Sequence, residues 1–99
     1  MKYTISMSAK AHLDLAEIKK YYKTNNISKN IVKNFVETIT SRIYNLAYHP
    51  YSAPEGDIKG IRELNLIKYP YRIVYEISEP QHHIKIIRIL YTSRKRFLH

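Results

Sequence analysis

Arg94, Lys95 and Arg96 stand as three successive cations near the end of the chain, flanked by Tyr91 and Phe97. Cations interleaved with aromatic rings suit a polyanion or an acidic protein surface. From Pro80 to His99 there are five Lys or Arg and no acid. Guanidinium meets phosphate or carboxylate through paired hydrogen bonds, and Tyr and Phe rings stack on bases or enter protein grooves. His82 and His83 are adjacent, so on an extended chain they face opposite ways. Without Cys or clustered acids they complete no metal site. The sequence has no glycine-rich phosphate loop, no Ser/His/Asp arrangement and no nucleotide-binding signature. No cofactor and no metal are expected.

The whole chain bounds these options. Its 99 residues make one domain, 1–99, with 44% hydrophobic content normal for a globular fold. Seventeen basic against eight acidic residues give a net charge of +9, which favours nucleic acid or an acidic protein as partner. There is no cysteine, hence no disulfide framework or thiolate chemistry. No apolar run is long enough to span a membrane and no signal-peptide core opens the chain, so a cytoplasmic location without membrane contact is expected.

The elements that must position the basic end can be read from periodicity. Tyr3, Ile5 and Met7 alternate with polar residues as a short strand. Ser8 is placed to cap a helix running to about Thr24, with Ala11, Leu15, Ile18 and Tyr22 as its apolar stripe. Asn25 and Asn26 break it, and Ser28 is placed to cap a second helix. Ile31, Val32, Phe35, Val36, Ile39, Ile43, Leu46 and Ala47 form one face of that helix. So short a link makes the two an antiparallel hairpin. Pro50, Pro54, Gly56 and Gly60 mark an irregular connection over 49–60, followed by strands at about 61–68, 71–78 and 83–91. The last run is apolar on both parities, as a central strand covered on both faces would be. The order β-α-α-β-β-β predicts an α+β domain, a helical hairpin packed on one face of a small antiparallel sheet.

Several segments resemble the RelE/ParE superfamily of type II toxins. The first helix carries Ala11, Asp14-Leu15, Ile18 and Tyr21-Tyr22 in that family's pattern. His49-Pro50 precede Gly60-Ile61-Arg62-Glu63-Leu64. Then come Tyr71-Arg72-Ile73-Val74-Tyr75-Glu76-Ile77 and Ile86-Ile87-Arg88-Ile89-Leu90-Tyr91-Thr92-Ser93-Arg94. Their order and spacing are closer to the ParE branch, although Tyr91 stands where ParE-like sequences often carry His. The resemblance implies inhibition of DNA gyrase. On the RelE side it implies ribosome-dependent cleavage of mRNA. It also implies a cognate antitoxin with an acidic, partly disordered C-terminal segment, which would suit the basic surface.

Cleavage of RNA by its own 2′-OH needs a base, an acid and cations for the phosphorane charge. Under the RelE resemblance Arg72 and Arg94 become phosphate clamps, and Tyr91 or His99 moves the proton, although neither stands at the spacing expected for that role. Strand parity puts Arg72 with Val74 and Glu76 on the open face, away from Ile73 and Tyr75. A structural alternative is an ion pair with Glu63 or Glu76. Arg88 is expected to form a structural ion pair at the sheet edge. The candidate contacts to target or nucleic acid are Arg62, Lys68, Arg72, Tyr91, Arg94, Lys95, Arg96 and Phe97. Three functions remain open: a gyrase-binding toxin without catalytic residues, an endoribonuclease using Arg72, Tyr91 and Arg94, or a regulatory module that binds antitoxin and DNA.

Overall fold

The computed structural model describes residues 2–92. Arg94, Lys95, Arg96, Phe97 and His99 lie outside the described residues. The elements are β1 (Thr4–Met7), α1 (Ala9–Thr24), α2 (Lys29–Tyr48), β2 (Ile61–Asn65), β3 (Tyr71–Ser78) and β4 (His83–Tyr91). This is the expected α+β order, and the sheet runs β1-β4-β3-β2.

The sheet is mixed rather than wholly antiparallel. β2, β3 and β4 form an antiparallel meander, whereas β1 lies parallel to β4 at the edge, with Ile5 opposite Ile84 and Met7 opposite Ile86. Alternation reports which face a side chain takes but not the direction of the neighbouring strand. β2 also ends earlier than expected. Leu66 N–H donates to Tyr71 O (2.9 Å), turning the chain, and Ile67 is left 93% exposed.

Ser8 joins strand to helix. Its N–H extends the sheet to Ile86 O (2.9 Å), and its Oγ accepts from Ala11 N–H (3.0 Å) while donating to Ile87 O (2.7 Å). One residue thus ends β1 and caps α1. Ser28 caps α2 by accepting from Ile31 N–H (3.3 Å). Between the helices Asn26 sits at φ 58°, a left-handed conformation that Asn tolerates.

The main core lies between the helices and one sheet face, built on Ala11, Phe35, Ile39, Leu46, Ile73, Tyr75, Ile84, Ile86 and Ile89. Ile31, expected on the apolar face of α2, is instead 48% exposed in the helix's first turn. The register between β3 and β4 shifts at Val74/Tyr75, because Tyr75 lies opposite Ile86 and Val74 opposite Arg88. Ile87 is the extra residue of a bulge. It reverses the parity of β4, so Ile89 rejoins Ile84 and Ile86 in the core. The two-parity apolar pattern therefore has two sources, this bulge and the burial of Leu90 on the opposite face.

Candidate functional site

The residues expected to do chemistry converge only in part. Arg72 lies opposite Asn65 and Glu63 lies opposite Val74, so Arg72 and Glu63 are diagonal neighbours on the sheet face away from the helices. Arg72 is not open on that face. It is 4% exposed, and its Nε lies 3.3 Å from Glu63 Oε1, with Glu63 itself 8% exposed. Its Nη1 donates to the carbonyls of Tyr91 (3.2 Å) and Thr92 (3.1 Å). Of the two roles sequence leaves open for Arg72, the structure realises the ion pair with Glu63. The guanidinium also fastens the main chain where the basic end departs, helped by Thr92 N–H donating to Pro70 O (2.8 Å).

Glu63 is held from behind by the 49–60 connection. A Cβ on Gly56 would fall 2.2 Å from Glu63 Oε2, so only glycine permits this approach. Glu63 N–H donates to Pro54 O (3.2 Å), and Gly56 N–H donates to Ile61 O (2.9 Å). Arg62 serves the same connection. Its Nη1 donates to Ala53 O (2.6 Å), and its guanidinium sits over the Tyr51 ring at 4.8 Å. From the core, Tyr75 donates its hydroxyl to Pro50 O (2.8 Å), and burial pushes its phenol pKa up.

Tyr91 is 48% exposed and packs edge-on against Tyr71, with centroids 5.4 Å apart. Tyr71 is nearly buried, which raises its phenol pKa strongly. The Tyr91 and Tyr71 rings border a cleft of about 360 Å³ with Tyr21, Glu17 and Asp14. Lys68 lies elsewhere, in the β2–β3 turn, beside a shallow pocket of about 380 Å³ formed with Asn34, Thr38 and Arg42 of α2. The structure therefore joins Arg72 to Tyr91 through a main-chain carbonyl and leaves Arg62 and Lys68 at separate places. His82 and His83 also diverge. His82 pairs with Glu79 (3.7 Å), whereas His83 bonds Thr4 Oγ1 (2.6 Å) and Ser6 Oγ (2.8 Å).

Residues 5–96 match the family described as the ParE toxin of the type II toxin–antitoxin system, parDE. The chain belongs to the ParE toxin family. Among solved structures it is similar to the chromosomal ParDE toxin–antitoxin system of P. aeruginosa, at 22% identity and TM-score 0.76 over 91% of this chain and 96% of that one. It is also similar to the RelBE2 toxin–antitoxin complex of Mycobacterium tuberculosis, at 18% identity and TM-score 0.61 over 92% and 99% of the two chains. The isolated E. coli RelE toxin gives 10% identity and TM-score 0.63 over 94% of this chain and 87% of RelE. At such identities these likenesses concern the fold. No curated protein sequence matches significantly. The ParE family match runs from Ile5, within β1, to Arg96, so it takes in nearly all of the sheet, the hairpin and the basic run together.

One polar contact was only half legible beforehand. Arg88 was expected in an ion pair, but its partner, Asp14, lies 74 residues away on α1. Nothing local in the sequence links them.

Proposed function

We propose that this ParE-family toxin acts in the cytoplasm by binding DNA gyrase, without covalent chemistry of its own, and that a cognate antitoxin silences it. The observation that carries this reading is the burial of Arg72 in its ion pair with Glu63. A phosphate clamp must reach its substrate, and withdrawing this guanidinium would break a buried ion pair. An endoribonuclease built on Arg72, Tyr91 and Arg94 would have to draw on a cation already engaged by Glu63. A contact surface needs no such group. Tyr91, Arg94, Lys95, Arg96 and Phe97 would supply it at the chain end that Arg72 anchors, with Arg62 and Lys68 as more distant contacts. The net charge of +9 suits an antitoxin whose inhibitory C-terminal segment is acidic and partly disordered.

Pulse labelling of DNA and protein synthesis within minutes of induction tests the proposal. DNA synthesis should fall first while protein synthesis holds. An immediate collapse of protein synthesis would make the ribosome and mRNA the target and overturn the gyrase reading. Growth unaffected by induction would favour a purely regulatory module.

A further inference from the structure

We propose that the tip of the helical hairpin is a binding surface for the phosphate backbone of duplex DNA. It is carried by Lys19, Lys20 and Lys23 at the end of α1 and by Lys29 and Lys33 at the start of α2. This surface is made of other residues than the basic chain end and does not depend on which target the toxin has.

Charge segregation is the first support. Between Glu17 and Glu37 the chain has five lysines and no acid. All five are exposed, and none forms an ion pair with a described acid. The antiparallel hairpin brings the two lysine groups to one end of the molecule through the four-residue link 25–28. That link and its flanks add Thr24, Asn25, Asn26, Ser28 and Asn30, short polar groups of the kind that bond phosphate oxygens.

Placement is the second. The first turn of α2 holds no acid. Its N-terminal N–H groups make that end positive, so Lys29, in the first turn, stands where a cation disfavours the helix. Lys19 and Lys23, like Lys29 and Lys33, are spaced i,i+4, which sets like charges about 6 Å apart along the axis. Folding alone would place acids at the start of α2. A strongly negative partner offsets this repulsion.

Residue type favours nucleic acid over protein. Lysine is depleted in protein–protein interfaces, and a compact ammonium on a flexible stem suits phosphate. Two helix ends of lysines with short polar neighbours fit a duplex backbone, which requires no row of stacking rings.

Fluorescence anisotropy of the full chain with a labelled random-sequence duplex, from ~50 to ~200 mM salt, tests this. Five phosphate contacts predict that K19Q/K20Q/K23Q/K29Q/K33Q flattens the slope of log K against log salt by up to about 4.5. It should also weaken low-salt binding at least tenfold. R94Q/K95Q/R96Q should keep the hairpin's share of the slope. If the fivefold variant does not fold, K29Q/K33Q gives the same reading with a change of about 1.8. That pair should melt at the same or a higher temperature, because it removes a cation from the positive helix end and a like-charge i,i+4 pair. An unchanged slope in the glutamine variants would overturn the proposal. So would tighter binding of single-stranded RNA through the same lysines, displacement of the duplex by less poly-glutamate than competitor DNA, or a lowered melting temperature for K29Q/K33Q.

Discussion

Asp14 and Arg88 meet through two parallel hydrogen bonds, Nε to Oδ2 at 2.8 Å and Nη2 to Oδ1 at 3.0 Å, and the same Oδ2 accepts from Ile89 N–H at 2.9 Å. β1 ends at Met7, opposite Ile86, so beyond that point β4 has no strand on this side. The carboxylate on α1 takes over, accepting a main-chain N–H and holding the guanidinium that the bulge turns aside. The pair is 13% exposed at each side chain, and the bond to Asp14 raises the Arg88 pKa. Asp14→Ala should destabilise the fold by about 3 kcal/mol, since it removes the carboxylate to which both the Arg88 guanidinium and the Ile89 N–H bond. Asp14→Asn keeps an acceptor and should cost less than half as much. Urea denaturation of the two variants checks the order.

Glu63 and Arg72 make a stronger test of the functional reading. Arg72→Ala breaks a nearly buried ion pair, for an expected loss of about 3–5 kcal/mol. Loss of toxicity in that variant would therefore say nothing of catalysis. The double variant E63L/R72M removes both charges and should recover to within about 2 kcal/mol of the parent. A gyrase-binding toxin should stay toxic in this form. A stable double variant that is expressed but harmless would restore Arg72 to a direct role.

Gly56 should be coupled to Glu63. Gly56→Ala places its new carbon against Oε2, and Glu63 cannot swing away while Arg72 holds it. The expected cost is about 1–3 kcal/mol. In a Glu63→Ala background the clash has no partner, and Gly56→Ala should become nearly neutral. A double-mutant cycle measured by denaturation reads the coupling directly. A cost unchanged by Glu63→Ala would place the strain elsewhere.

Much of the fold was legible because local rules decide it. Ser8 and Ser28 cap the helices they were expected to cap, and the stripe through Ala11, Ile18, Phe35 and Ile39 is buried. What stayed hidden depends on chain segments meeting across long separations. No alternation reveals that β1 lies parallel to β4. The bulge at Ile87 resets the parity of β4 just before Arg88. At Arg72 parity gave the correct face but not its burial, because strand alternation says nothing of what covers a face. The lysine run from Lys19 to Lys33 was visible in the sequence. It gained meaning only when the hairpin brought its two halves to one end.

Glu79 gives the fold a dependence on pH at both extremes. Its Oε2 accepts from the hydroxyls of Tyr3 (2.5 Å) and Tyr51 (2.8 Å), tying the β3–β4 turn to β1 and to the 49–60 connection. The Tyr3 and Tyr51 bonds lower the Glu79 pKa below 4.5, while the bond to Glu79 first, with some burial, raises Tyr3 to about 12. A depressed carboxylate contributes stability above its unfolded pKa and loses it as pH falls through the folded value. A raised phenol contributes fully below its unfolded pKa near 10 and loses that contribution as pH rises through about 12. Glu79→Ala should therefore lower the melting temperature at neutral pH. The difference from the parent should shrink below pH 4.5 and again between pH 10 and 12. A constant difference across pH would mean that the carboxylate makes no folded-state bond in solution.

Ending the chain after Ser93 removes Arg94, Lys95, Arg96 and Phe97 while keeping the carbonyls of Tyr91 and Thr92 that Arg72 holds. The truncated toxin keeps the described sheet and helices, so it should fold, as circular dichroism and its melting temperature would show. If the basic end is the contact surface, inhibition of supercoiling by purified gyrase should fall at least tenfold, the loss expected when several charged or aromatic anchors leave an interface. Arg62→Gln and Lys68→Gln, at separate places on the surface, should each change inhibition less than threefold. A folded truncation that inhibits gyrase as well as the full chain would move the contact surface away from the chain end.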